Sequence, residues 1–315
     1  MIRTEVDTEL ISAIDIAKKE AESIIVARYE RPTNLYYVLQ YHSLRHSREV
    51  AERISSTFRL LSPIAGLIDP RDRLLYPSLG LNHDRVNDFD VKVFDLNGSP
   101  AVKMQRYTGQ NEKDSANETK EVLSGINTTL GKTIFTCEDK VKTDEAFDVT
   151  IPSFDTTLVT VFQPSLNRET SVGARILALS DLNTALLDPQ RFLENGNELF
   201  REENFDVLEV LLHKDPISKL QERFIKERMI GWSKMQIPFA LGRQKRLPLE
   251  LEGLPEEAVD ILKRLYSMGL ESAEAASQTA KERENMTLPE LFRSFGYDVD
   301  TRVRYFHPRH FASAA

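Results

Sequence analysis

Apolar residues recur every three or four positions between Glu5 and Tyr29, with polar residues between them. The recurring residues are Leu10, Ile14, Ala17, Ala21 and Ile25. This period is that of an amphipathic helix with one face on a core. Because Pro32 has no backbone N–H and cannot continue a helix, the pattern predicts a first helix that ends before Arg31.

A second stretch with the same period runs from Leu35 to Leu61 and is closed by Pro63. It contains His42 and His46, in a chain with six histidines. Residues four apart lie on the same face of a helix. The sequence therefore predicts a second helix over 35–61 that carries this histidine pair one turn apart.

The segment "FDVKVFDLNGSPAVKMQRYTG" alternates Val and Phe with polar residues around an Asn-Gly pair, which predicts a small β-hairpin. A helix is expected from near Asn111 to Ile126. Residues 133–168 contain two prolines and β-branched runs. For this stretch we expect a long irregular excursion with one or two short strands.

Helical periodicity returns at "SVGARILALSDLNTALL" and prevails from Glu202 onward. The later helical stretches are "FDVLEVLLH", "SKLQERFIKERMIGWSKMQIPFALG", "PEEAVDILKRLYSMGLESAEAASQTAKER" and "TLPELFRSFG". No internal repeat and no low-complexity seam divides the chain. The predicted fold class is mainly α, with a small β excursion.

The composition is that of a soluble globular protein: 315 residues, of which 41% are hydrophobic and 29% charged. Such a length allows one large domain or two ordinary ones. No stretch approaches the roughly 20 apolar residues that cross a bilayer, and the first 30 residues have no signal or transit pattern. We therefore expect a cytoplasmic protein with no membrane partner; a homo-oligomer is compatible with this composition.

Charge and cysteine content limit the function further. A net charge of -8 provides no basic field for an extended DNA or RNA surface. The single cysteine, Cys137, excludes a disulfide within the chain and a cysteine-rich zinc site. Any metal must therefore be held by histidine and carboxylate. A small anionic substrate remains compatible with the charge, because a divalent cation supplies positive charge locally.

Three segments carry candidate metal ligands: the His42/His46 pair, the "NHD" at 82–84, and Asp181 in "ALSDLNTA". Imidazole nitrogen and carboxylate oxygen suit zinc, manganese, iron or nickel. Leucines surround Asp181, and a buried carboxylate needs a partner that a metal would provide. Asp188, seven residues further on, is the alternative.

In this order the motifs resemble the signature of the HD superfamily of metal-dependent phosphohydrolases, which is a His, then a His-Asp pair, then a later Asp on helices. "YHSLRHSREVAERI" is similar to the superfamily's Tyr-His variant, although Ser43 stands where that variant usually has Asn. "HDRVND" resembles its HD segment, and "GQNEKDSA" the Asn-Glu-x-x-Ser-Ala helix that follows. The resemblance covers roughly residues 35–190.

The resemblance implies an HD-type helical bundle core over residues 1–200, with a helical extension over 201–315 packed on it. It implies that His46, His83, Asp84 and Asp181 bind a divalent cation, which would be manganese, iron, nickel, magnesium or zinc. The catalytic candidates are Asp84, the extra histidine His42 as proton donor, and Glu112 as the residue that holds water or a second ion.

The implied activity is hydrolysis of a phosphomonoester or phosphodiester in a small phosphorylated or nucleotide-like substrate. A divalent cation lowers the pKa of its bound water to about 7 and neutralises phosphoryl oxygens. Cationic side chains that flank the motifs would hold the phosphate. These candidates are Arg45, Arg85, Lys103 and Arg106.

Two other functions stay open. The same scaffold and ligand types serve di-iron oxygenases, in which His42 and Glu112 would complete a second ion site. Alternatively, the protein is a non-catalytic metal-binding sensory module. Of the features without a motif, "FREENFD" is interpreted as a solvated helix start and "GWSKMQIPFALGR" as core or a subunit contact. His213, His307 and His310 match nothing.

Overall fold

A computed structural model describes residues 5–30, 38–96, 99–204, 206–207 and 218–297. Helices dominate these residues, and the described strands form two small two-stranded sheets. The predicted mainly α fold class is therefore confirmed. Within the described residues, no helix combines the length and the apolar character needed to cross a bilayer.

The first part of the fold surrounds a helical core with a β-hairpin at its edge. Its elements are α1 (Glu5–Ile25) with a π-helical turn (Val26–Glu30), α2 (Leu44–Leu61), α3 (Asp72–Asn82), β1 (Phe89–Leu96), β2 (Ser99–Arg106), α4 (Gln110–Leu130), α5 (Cys137–Asp148), β3 (Ser153–Asp155) and β4 (Thr160–Phe162). Each strand pair is antiparallel.

The regular elements described in the second part are all helical. Its elements are α6 (Val172–Leu182) with a 3-10 turn (Asn183–Leu186), α7 (Pro189–Glu203), α8 (Lys219–Glu250), α9 (Glu256–Leu265), α10 (Gly269–Glu284) and α11 (Leu288–Ser294). The main hydrophobic core takes residues from α1 to α3 and from α6, but also Leu247, Leu262 and Tyr266. Both sides of position 200 thus share one core, and the division at 200 stays a prediction.

Helix α6 is the central element of this core. Eight consecutive residues, from Gly173 to Ser180, are buried. A Cβ at Gly173 would lie 2.1 Å from the Tyr76 ring, so only glycine allows this contact between α6 and α3. The helix is consequently held along its whole length, and its C-terminal end, which carries Asp181, has a fixed position.

Two predicted elements differ from the structure. The second helix begins at Leu44 rather than at residue 35, because Ser43 is its N-cap with extended backbone (φ -99, ψ 170). The irregular stretch 133–168 contains α5, which the sequence interpretation missed, beside two short strands, where one or two were expected. Thr136 and Asp139 form a capping box that starts α5.

Candidate metal centre and adjoining cavity

The helical core brings together the four residues that the resemblance names as ligands. His46 comes from the first turn of α2, His83 is the C-cap of α3 with Asp84 after it, and Asp181 lies in the last turn of α6. Helices α2 and α3 approach closely at Gly80, where a Cβ would lie 2.4 Å from Ile54 Cδ1. The C-terminal ends of α3 and α6 both meet here, and their dipoles favour a cation.

Both carboxylates reach both imidazoles. His46 Nε2 lies 3.2 Å from Asp181 Oδ1 and 3.4 Å from Asp84 Oδ2. His83 Nε2 lies 3.3 Å from Asp181 Oδ1 and 3.1 Å from Asp84 Oδ2. Bonds of about 2.1 Å to one cation place neighbouring donors about 3.0 Å apart in an octahedron and about 3.4 Å apart in a tetrahedron. The four imidazole–carboxylate distances fall in this range.

The protonation of His83 also fits a metal ligand. Its Nδ1 lies 2.7 Å from the carbonyl oxygen of Gly80 and donates to it. The other nitrogen, Nε2, is buried and faces the carboxylates of Asp84 and Asp181. Because Nδ1 donates to this carbonyl, Nε2 is the nitrogen that faces the two carboxylates, and loss of its proton would free a lone pair for a metal ion, as in histidines that bind metals. His46, His83 and Asp84 therefore form a buried group that can hold a metal ion.

The four side chains also control one another's protonation. Burial alone would lower the pKa of both histidines, but the contacts with Asp84 and Asp181 outweigh burial and raise each histidine pKa above its ordinary value. Burial would raise the pKa of each aspartate, yet the histidines hold both aspartate pKa values below the ordinary value. The aspartates therefore stay ionised, and the cluster needs positive charge.

His42 lies before α2. The prediction that His42 and His46 lie one turn apart on the same helix is therefore wrong. His42 Nδ1 contacts Glu202 Oε1, and Glu202 Oε2 accepts the backbone N–H of Tyr41 at 3.0 Å and of His42 at 3.1 Å. These bonds to Glu202 replace the helical bonds that the periodicity predicts. Its other nitrogen, Nε2, contacts Arg106 Nη1.

Glu202 and Glu203 were missed as site residues, and the interpretation of "FREENFD" as a solvated helix start is wrong for Glu202. This residue lies in the last turn of α7 and is buried. Burial raises the pKa of Glu202, but His42 and Arg106 outweigh burial and lower it. The sequence contained a signal for a buried Glu202, namely the helical spacing of residues along α7. Asn195 and Glu202 recur at helical spacing on the same side as Phe192, which marks polar residues on a buried stripe.

Arg106 is the candidate phosphate ligand that lines the cavity beside the cluster. Its Nη2 contacts Asn87 Oδ1 and lies 3.7 Å from Asp84 Oδ1. By contrast, Arg45 is half exposed and pairs with Glu198 and Glu49.

The other two phosphate candidates lie elsewhere. The guanidinium of Arg85 is buried between Glu20 and Glu118, so its donors are already committed. Lys103 is half-buried on β2, outside the cavity wall. Of the four phosphate candidates, Arg106 is therefore the one that lines the cavity.

Glu112 is buried at the start of α4 and lines the same cavity. Its Oε2 accepts the backbone N–H of Gly109 at 2.6 Å and so caps the helix. Asp188, the alternative to Asp181, caps α7 through a 3.0 Å bond from the N–H of Arg191 and is not among the cavity-lining residues. His213, His307 and His310 lie outside the described residues.

A cavity of about 650 Å³ adjoins the cluster. His42, His83, Asp84, Arg106 and Asp181 line it on one part of the wall. Residues of α7 and α8 complete it, among them Phe192, Glu203, Trp232, Gln236 and Phe239. Part of "GWSKMQIPFALGR" therefore lies on a cavity wall, where the sequence interpretation expected core or a subunit contact.

Glu203 is a second acidic group on this wall. Burial and the neighbouring Glu202 raise the pKa of Glu203 to about 7, against the opposite influence of Lys103 and Arg106. A carboxyl with this pKa carries a proton part of the time at neutral pH and can donate it.

The site was also compared with known proteins. Neither protein-family models, nor curated proteins, nor solved structures give a match to this chain. The function must therefore be argued from the residues of the site.

Proposed function

We propose that the protein is a divalent-metal-dependent phosphohydrolase that acts on a small phosphorylated substrate. The observation that carries the proposal is the convergence of two imidazoles and two carboxylates at the wall of a cavity that also contains a guanidinium. His46, His83, Asp84 and Asp181 would hold the cation. A divalent cation in such a site supplies an activated water and Lewis-acid stabilisation of the phosphoryl oxygens.

Arg106 is the group that would hold the phosphate. A guanidinium presents parallel N–H donors that match two phosphoryl oxygens. The Glu202 carboxylate accepts a hydrogen bond from His42 Nδ1, so that Nε2 is the nitrogen that faces Arg106. In this arrangement His42 positions the guanidinium. When Arg106 turns towards a phosphate, His42 Nε2 becomes free to take up and transfer a proton.

The leaving group needs a proton, and Glu203 is suited to provide it. It lines the cavity, and its raised pKa keeps part of it protonated at neutral pH. Glu112 has one carboxylate oxygen committed to the cap of α4, so it is better placed to orient water than to donate a proton. His42 and Glu203 are therefore the candidates for proton transfer, and Glu112 is the candidate for orienting water.

The surroundings of His42 favour one cation over two. A di-iron oxygenase would need His42 as a ligand of the second ion. Its Nε2 instead faces the permanently charged guanidinium of Arg106, and a second cation there would meet like charge. We therefore rank the phosphohydrolase above the oxygenase.

The test is elemental analysis of the purified protein together with a screen of phosphomonoesters, nucleotides and cyclic nucleotides under added metals. We expect one tightly bound divalent ion per chain and hydrolysis of at least one substrate. Asp84→Ala should lose both, whereas the control Asp88→Ala, which removes an exposed carboxylate four residues away, should keep both.

Three results would contradict the proposal. Full hydrolysis by Asp84→Ala would mean that the metal cluster takes no part in the reaction. Two irons per chain with consumption of oxygen would favour the oxygenase. No turnover of any phosphoester by the metal-loaded protein would favour a sensory module.

A further inference from the structure

The segment between α3 and β1, residues 84–88, is largely buried and irregular, and it connects the metal cluster to the hairpin that carries Arg106. A buried backbone outside helices and sheets needs side chains as hydrogen-bond partners. Two come from α4: Ser115 Oγ accepts the Val86 N–H at 2.9 Å, and Asn111 Oδ1 accepts the N–H of residue 88 at 3.1 Å. Side chains of neighbouring helices therefore set the position of this segment.

A further partner of this segment is Tyr29, in the π-helical turn at the end of α1. Its hydroxyl accepts the Asn87 N–H at 2.7 Å and donates to the Arg85 carbonyl oxygen at 3.1 Å. Burial raises the pKa of Tyr29 to about 12, so the hydroxyl keeps the proton that it donates. π-Helical turns are rare and occur frequently at functional sites. Tyr29 lies before residues 35–190, so the resemblance gives it no role.

Asn87 links this hydroxyl to the phosphate candidate. Tyr29 binds its backbone N–H. Its side chain then bridges two residues of the site: Nδ2 donates to the Asp84 carbonyl oxygen at 2.9 Å, and Oδ1 contacts Arg106 Nη2. Asn87 is buried, so a displaced backbone at this residue cannot keep both side-chain contacts.

Two contacts hold the Arg106 guanidinium at the cavity wall: Nη1 contacts His42 Nε2, and Nη2 contacts Asn87 Oδ1. When Nη1 leaves His42 for a phosphate, Nη2 keeps its partner on Asn87. A long side chain that is not held in place must be ordered when a ligand binds, and this ordering lowers the affinity. The position of Asn87 therefore decides whether the guanidinium is in place before the phosphate arrives.

We propose that Tyr29 is a positioning residue for the phosphate, which acts by fixing Asn87 and thereby keeping the Arg106 guanidinium at the cavity wall. The inference rests on the proposed function for the role of Arg106 as phosphate ligand. Tyr29 itself is not among the residues that line the cavity. The inference gives the end of α1 a role in substrate binding without contact with the substrate.

The test uses Tyr29→Phe, which removes the hydroxyl and keeps the ring. The control Tyr76→Phe makes the same change at another buried tyrosine, whose hydroxyl bonds to Ser171 rather than to residues 84–88. Calorimetry measures the affinity of the Zn²⁺-loaded full chain for inorganic phosphate, and competition with a chromophoric chelator measures its affinity for Zn²⁺. Both are repeated in Arg106→Ala and in the double variant Tyr29→Phe/Arg106→Ala.

We expect Tyr29→Phe to weaken phosphate binding about threefold or more and to change the Zn²⁺ affinity less than about twofold, because the hydroxyl orders Arg106 and touches no metal ligand. Tyr76→Phe should keep both affinities. In the Arg106→Ala background, Tyr29→Phe should weaken phosphate binding no further, since residues that act through one another are not additive.

A second readout needs no phosphate. The Nε–H signal of Arg106 in the nuclear magnetic resonance spectrum of the ¹⁵N-labelled chain is identified by its loss in Arg106→Ala. We expect this signal to shift in Tyr29→Phe and to stay in place in Tyr76→Phe, because only the first variant releases Asn87.

Three results would overturn the inference: an unshifted Arg106 signal in Tyr29→Phe, a further loss of phosphate affinity in the double variant, or a loss of Zn²⁺ affinity as large as the loss of phosphate affinity. The last two would show that the hydroxyl only supports the fold. A wild type that binds no phosphate would count against the proposed function, whereas the Arg106 signal still decides the positioning role. The two proposals can thus fail separately.

Discussion

Two buried charge clusters lie within a few residues of each other at the end of α6, and they differ in how far each satisfies itself. One is the candidate metal cluster, which consists of His46, His83, Asp84 and Asp181. The other joins Arg243 and Glu250 of α8 to Asn183 of the 3-10 turn. Arg243 donates to Asn183 Oδ1 at 2.6 and 2.9 Å, to both Glu250 oxygens at 2.6 and 2.7 Å, and to the Val161 carbonyl oxygen at 2.8 Å.

The difference separates a cluster that is complete without a ligand from a cluster that could hold one. In the Arg243 cluster every N–H donor of the guanidinium meets an acceptor, and the charges of Arg243 and Glu250 cancel inside the protein. In the metal cluster, two ionised carboxylates face imidazole nitrogens that carry lone pairs or removable protons. An arginine cannot lose its proton in a protein, whereas a histidine can. The first cluster is therefore permanent, and the second can exchange protons for a metal ion.

Removing Arg243 should have the largest effect on stability. Arg243→Met leaves the buried Glu250 carboxylate without a counter-charge, and such a change costs about 3–5 kcal/mol. Chemical denaturation followed by circular dichroism measures it. Adding Glu250→Met should recover much of the loss. The control is Arg223→Met, which removes an arginine from an exposed ion pair with Glu227 and should cost under about 1 kcal/mol. An equal loss of unfolding free energy in Arg243→Met and Arg223→Met would contradict the structural role of the Arg243 cluster.

The corresponding change in the metal cluster should leave the fold nearly unchanged. Asp181→Asn should alter the unfolding free energy by under about 1.5 kcal/mol, because the imidazoles can release their protons. Its metal affinity should fall about 100-fold or more, measured by competition with a chromophoric chelator. Asp188→Asn is the control, since asparagine caps a helix as well as aspartate does. Loss of metal in that variant would make Asp188 the ligand instead.

Glu203 should make stability depend on pH. Its pKa is about 7 in the folded protein and 4.5 in the unfolded chain, so between these values only the folded protein holds the proton. Stability from this group is complete below pH 4.5 and declines up to pH 7, by about 3 kcal/mol at most.

Glu203→Gln should therefore flatten the decline. The measurement is the unfolding free energy at pH 5 and pH 8 for the wild type and the variant. The exposed Glu257→Gln should keep the wild-type difference. A decline as steep in Glu203→Gln as in the wild type would assign the pH dependence to another group.

The smallest effect is expected at Arg45. This half-exposed side chain pairs with Glu198 and Glu49, so Arg45→Ala should change stability by under about 1 kcal/mol. It should also leave the binding of inorganic phosphate to the metal-loaded protein unchanged. Arg106→Ala, by contrast, should weaken phosphate binding about tenfold or more. Equal weakening in both variants would mean that Arg45 reaches the substrate.

Local patterns predicted the elements whose cause is local. The first helix, the hairpin and α4 follow from periodicity and turn residues close in sequence. Helix α5 was missed because its buried face contains Asp139 and Thr143, so burial there does not coincide with apolar residues. His42 was misplaced because the acceptor of its backbone N–H is Glu202, 160 residues away. No local rule can detect a bond of that separation.

The sequence by itself determined the mainly α fold and the types of ligand available, because helical periodicity and side-chain chemistry are properties of neighbouring residues. It also supplied, through the resemblance, the four residues that meet in the metal cluster. Only the tertiary structure decided that Arg106, among the four basic candidates, lines the cavity and that Glu202 binds His42. It also decided that amides and rings of α7 and α8 lie on the cavity wall. These relations depend on packing between segments far apart in the chain, where burial and unsatisfied polar atoms arise only after folding.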